Sequence, residues 1–154
     1  MIRTRRQYLE YNSARRQSPD WAAGRTNMAF GSVYLVLTMA LGLYMNANAA
    51  LEHGFMLSQF QRSVLGGALF YSNVDAALNI GVGYTLARLP FVEWLSKTVS
   101  TLMIAGALLH SGALYAVGFG LLPFGASVAP LGVFIIAATL SIVFFGILGQ
   151  RLAK

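Results

Sequence analysis

The chain has 154 residues, of which 56% are hydrophobic and only 10% charged, against about 25% charged in an ordinary soluble domain. Its formal net charge is +6, and it contains no cysteine, which excludes disulfides, thiolate metal sites, iron–sulfur clusters and cysteine nucleophiles. This balance predicts an integral membrane protein.

The opening stretch, MIRTRRQYLEYNSARRQSPDWAAGR, has no apolar core and no small-residue cleavage site, so it reads as mature chain rather than a cleaved signal peptide. Residues 1–27 are expected to form a basic cytoplasmic tail. Its arginines, Arg3, Arg5, Arg6, Arg15, Arg16 and Arg25, are interleaved with Tyr8, Tyr11 and Trp21. That pattern suits anionic lipid headgroups, at roughly 1 kcal/mol per basic residue near the surface, or a neighbouring subunit. No nucleic-acid motif accompanies the charge, so no nucleic-acid partner is expected.

Residues 28–154 are expected to form the membrane domain. Apolar runs near the ~20 residues that span a bilayer fall at 28–46, 64–87, 98–119 and 130–148. They lack the period-two alternation of barrel strands, so each is read as a helix. The predicted fold is all-α, a bundle of four transmembrane helices. Arg88, Leu89 and Pro90 should end the second helix, because proline disfavours helical geometry in the residue before it. GLLPFGASVAP separates the third from the fourth, and Pro130 suits a first helical turn.

Charge placement bears on the threading. With four crossings, the tail, the second loop and the C-terminus share one side and hold every Arg and Lys except Arg62. The positive-inside rule then puts both termini in the cytoplasm, and the inner membrane of a bacterium is the expected location. Trp21 and Trp94 fall just outside apolar runs, where indoles favour the interface.

Within the spans the polar residues stand out. Asp75 precedes Ala87 by twelve positions and His110 follows Thr98 by twelve, so each should lie about 18 Å in, near the midplane. Tyr71, Ser72 and Asn79 share the helical face of Asp75, and Ser111 follows His110; Thr38 and Thr139 sit near the middle of the first and fourth spans. An intramembrane carboxylate costs roughly 2.5 to 3.5 kcal/mol on insertion scales. Either an Asp75–His110 pair or a protonated Asp75 donating to Asn79 or a carbonyl can offset that cost. The cluster then serves proton handling or a polar ligand, or acts as glue between helices and subunits. Gly112, Ala116 and Gly120, and Ala77 with Gly81, are spaced for close helix packing.

His53, beside Glu52 in the outer loop, cannot join His110 on one metal ion without unusual loop folding. No HExxH, phosphate-binding loop or nucleophile elbow is present. No metal site and no catalytic set are therefore predicted. The cofactor is left open, with haem on a single axial histidine as the arrangement the residues allow.

The stretches GALLHSGALYAVGFG and APLGVFIIAATLSIVF resemble the third and fourth helices of the small four-helix membrane family of unknown function that includes transmembrane protein two-five-six. Gly106, Ser111, Gly112, Leu114, Tyr115, Pro130 and Gly132 carry the likeness, which implies a four-helix architecture and no particular activity. GLYMN and RSVLGGAL are similar to the first helix end and second helix start of styrene oxide isomerase, a four-helix membrane enzyme using ferric haem as a Lewis acid. Its haem-ligating histidine would fall at Val64, so that chemistry is not carried over. The expected function is a non-catalytic subunit or scaffold of a larger membrane complex, partnered by lipids and by other subunits or further copies of itself. The alternative is a small isomerase-like membrane enzyme, or a binding protein for a lipophilic ligand at the polar cluster.

Overall fold

The computed structural model describes residues 21–49 and 57–152. Four long helices account for nearly all of them, with no strand among the described residues. They are α1 (Trp21–Ala49), α2 (Gln59–Arg88), α3 (Glu93–Gly118) and α4 (Gly125–Leu152). Midway along α3, Leu108–Gly112 form a turn of π-helix. Three helices, α1, α3 and α4, are long and apolar enough to cross a membrane. The 30-residue α2 is not among them, because Ser72, Asn73, Asp75 and Asn79 dilute its apolar run.

Each helix starts ahead of the apolar segment expected for it, and all but α3 run past its end, because backbone hydrogen bonding continues into the polar flanks. α1 starts at Trp21 rather than 28, so Trp21 and Arg25 belong to its first two turns and not to a tail. α2 begins at Gln59 because Ser58 and Gln61 form a capping box. The Ser58 hydroxyl accepts from the Gln61 N–H at 3.2 Å, and the Gln61 side chain accepts from the Ser58 N–H at 3.0 Å. It ends at Arg88, where Leu89 turns extended (φ −103°, ψ 141°) ahead of Pro90. α3 begins at Glu93, whose carboxylate pairs with Lys97 one turn on at 2.8 Å, and it stops at Gly118. Gly120, at φ 73°, carries the chain out of it. Pro130, expected in a first turn, is the sixth residue of α4 and lies in its second. The helix there lacks the N–H that would satisfy the Ala126 carbonyl.

α1 runs along α2, and α3 along α4, while α3 closes the bundle against the first pair. Glycines set the closest approaches. A Cβ on Gly24 would lie 2.6 Å from the Gly83 carbonyl oxygen, and one on Gly31 would lie 2.6 Å from that of Ala76. α1 and α2 can therefore touch backbone to backbone. Gly132 of α4 does the same against Gly106 and the His110 backbone nitrogen, which any Cβ would overlap.

The distribution of side chains is that of a protein in lipid. Val36 and Leu43 of α1, and Phe134 and Phe145 of α4, are each more than 60% exposed. Asn27, Thr38, Ser72, Asp75, Asn79, Ser100, Ser111 and Thr139 are buried. Ala23, Val82, Leu86, Phe91, Val99, Met103, Ile136 and Val143 form an apolar core to which all four helices contribute.

Candidate functional site

Three helix faces meet in a polar seam. α1 supplies Asn27, Tyr34 and Thr38, at intervals of seven and four that fall on one face. α2 supplies Ser72, Asp75 and Asn79, and α3 supplies Ser100, His110, Ser111 and Tyr115. In a regular helix neighbours diverge by about 100°, so His110 and Ser111 could not both face one partner. The π-turn narrows that angle, and both reach Asp75.

Asp75, 2% exposed, is held at both oxygens. His110 Nδ1 lies 3.3 Å from Oδ1 and 3.2 Å from Oδ2. The Ser111 hydroxyl donates to Oδ2 at 2.7 Å. It also lies 3.0 Å from the Ala107 carbonyl and 2.8 Å from the Tyr34 hydroxyl. A serine has one hydroxyl hydrogen. If it goes to Asp75, the short Tyr34 contact requires Tyr34 to donate to Ser111. Proton order then runs from Tyr34 to Ser111 to Asp75, and His110 Nδ1–H completes the carboxylate from the other side. The Tyr71 ring lies against the imidazole, with centroids 4.8 Å apart and planes tilted by 46°.

The polar residues expected to share one patch separate into distinct sets. Asn79 does not touch the Asp75 carboxyl. Its amide donates to the Asp75 backbone carbonyl at 2.9 Å and lies 3.5 Å from the Met103 carbonyl, while its oxygen accepts from Asn27 at 3.1 Å. The Asn27 oxygen in turn accepts from Ser100. Asp75 donating to Asn79 is thereby replaced, since Asn79 faces one turn further along, toward α1. Ser72 is turned to α3, where its hydroxyl meets that of Tyr115 at 2.9 Å. Thr38 donates to Asn73 at 2.9 Å. Thr139 is buried but bonds its own helix, donating to the Ile135 carbonyl at 2.7 Å. The Ser96 hydroxyl is buried with no hydrogen-bond partner.

Trp21 and Arg25 are exposed on α1. Arg3, Arg5, Arg6, Arg15 and Arg16 lie outside the described residues, as do Glu52 and His53. Asn27, Tyr34 and Ser100 are participants that sequence reasoning passed over. The signal was there for the first two, since Asn27, Tyr34 and Thr38 mark one face of α1. No three or more His, Asp and Glu side chains gather as a metal site among the described residues.

Three membrane-length apolar helices around a buried polar seam define an all-helical integral membrane protein. No family model, curated protein or solved structure matches the chain.

Proposed function

We propose that this is a four-pass protein of a bacterial inner membrane, both termini cytoplasmic, acting as a non-catalytic subunit or scaffold of a larger membrane complex. The clustering of Arg and Lys at the α1 start, the α2–α3 loop and the α4 end supports the threading. Under that threading α2 crosses as well, with Ser72, Asp75 and Asn79 screened by α1 and α3.

One observation carries the subunit reading. α2 has the least apolar composition of the four helices, yet it turns Gly66, Phe70, Asn73, Ala77, Gly81 and Tyr84 outward, all exposed along one face. The Asn73 oxygen accepts from Thr38, but its amide hydrogens have no partner among the described residues. In hydrocarbon an open amide donor is costly, and a Cβ on Gly66 or Gly81 would meet nothing within 4 Å. A further transmembrane helix packing there, with a carbonyl or side-chain acceptor opposite Asn73, would satisfy it.

The native mass in mild detergent tests this reading. A stoichiometric partner or homo-oligomer that is lost in Asn73→Leu supports it. A monomer in both proteins overturns it.

A second reading, an isomerase-like enzyme or a binding protein for a lipophile, is favoured by a different observation. The half-exposed Tyr71 and the edge of His110 bring the Asp75 cluster to the membrane-facing surface, beside a π-turn, a feature frequent at functional sites. A Soret band or a co-purifying lipophile in the same preparation would support it.

A further inference from the structure

We infer that the Tyr71 hydroxyl and His110 Nε2 form a site, reached sideways from the lipid, for the hydroxyl group of a lipophilic phenol. The inference rests on the second reading and names its ligand class. Both atoms are unengaged among the described residues. Tyr71 makes ring contacts with Phe70 and His110 but no hydrogen bond, and His110 bonds only through Nδ1.

Their surroundings select the partner. Water is scarce at this depth, so a spare donor and a spare acceptor carried on two rings in contact are left uncompensated unless a ligand supplies the complement. Tyr71 is 42% exposed, and the His110 side chain keeps 13% of its surface open. The apolar side chains of Phe70, Val74 and Leu109 are exposed close by in sequence.

The proton order in the cluster fixes what His110 offers. With Ser111 donating to Oδ2 and the carboxyl ionised, Nδ1 carries the hydrogen that faces Asp75 and the ring is anchored at that edge. In the neutral ring Nε2 is then an acceptor. A hydroxyl carries the complement of both, a hydrogen for Nε2 and an oxygen to accept from Tyr71. A phenol adds an aromatic body that can pack on the two tilted rings, and it is a stronger donor than an aliphatic alcohol. The Asp75–His110 pair orients the receiving nitrogen, as a carboxylate does for any imidazole whose far edge is to accept a proton.

The test uses the full chain in lipid nanodiscs with para-octylphenol, and with para-octylanisole, its methyl ether, which has no hydrogen to donate. Binding is followed by nitrogen NMR of the imidazoles, with His110 assigned through His110→Gln. The expected result is saturable phenol binding that shifts the His110 signal, at least about tenfold tighter than the ether. Tyr71→Phe should weaken the phenol about three- to tenfold, and His110→Gln should remove saturable binding. The Tyr71 hydroxyl makes no bond, so Tyr71→Phe keeps its fold and stands as the decisive variant. Saturable binding equal for phenol and ether, and unchanged by Tyr71→Phe, overturns this site while leaving a lipophile site elsewhere. Linear partitioning of both compounds overturns the site and the binding reading together.

Discussion

Two polar knots lie one helical turn apart in this bundle, and they are built to opposite plans. The Asn27–Asn79–Ser100 knot joins α1, α2 and α3 through side chains that are 0%, 0% and 6% exposed. Its hydrogen bonds begin and end inside the protein, on one another and on the carbonyls of Ala23, Asp75 and Met103. The Asp75–His110–Ser111–Tyr34 knot joins the same helices but contains groups that exchange protons, and its rim, Tyr71 and His110 Nε2, is open. An amide accepts at oxygen and donates at nitrogen, so it cannot pass a proton along as a hydroxyl or carboxyl can. The first knot ties helices; the second ties them and leaves a hand free. Polar residues at similar depth therefore need not share a role.

The largest expected effect comes from His110→Leu, which leaves the Asp75 carboxylate without its ring partner. Stripping a donor from a buried carboxylate costs about 3 kcal/mol or more, and thermal unfolding in detergent should show a loss of that order with the amide knot's exchange protection falling later. Gly132→Ala comes next, since its methyl group would overlap the His110 backbone. Overpacking of this kind costs about 1 to 3 kcal/mol, and the distortion should register in the NMR signals of His110 before those of Asn27. Asn79→Leu should cost about 1 to 2 kcal/mol by stranding the Asn27 amide, while leaving the His110 signal in place. An equal disturbance of both knots by Asn79→Leu would show that they form one cooperative unit. Smallest of all is Tyr71→Phe, expected within about 0.5 kcal/mol of the parent in stability, and so a clean probe of the open rim.

Much of this is legible in the sequence, though unevenly. Four apolar runs marked four helices, yet their ends were misplaced because hydropathy reports where lipid begins, not where backbone hydrogen bonding stops. Ser58 and Gln61 carry the α2 start in their spacing, a cue for capping rather than for burial. Counting depth along α2 and α3 put Asp75 and His110 on one level, and that arithmetic needs only a rise per residue. Asn79 was grouped with Asp75 because residues four apart share a face. The neighbour each meets across the bundle depends on where α1 crosses, which Gly24, Gly31 and Gly83 decide through close approach. The π-turn has no local signature in the sequence; Gly132 of α4 packs against its backbone at His110.

That turn also fixes the phase of the rest of α3. Before it, Ser96, Ser100, Met103 and Ala107 mark the inward line; within it Ser111, and beyond it Val117 and Gly118, are buried too. A turn closed by i to i+5 bonding sweeps less angle per residue than its neighbours, so it acts as an indexing step between two lengths of ordinary helix. A chain one residue shorter between Ala107 and Ala113 would still make a helix of membrane length. Its last third would keep its facing, because four residues of ordinary helix sweep about the same angle as five of the π-turn. The turn thus absorbs one residue without moving Tyr115 from Ser72.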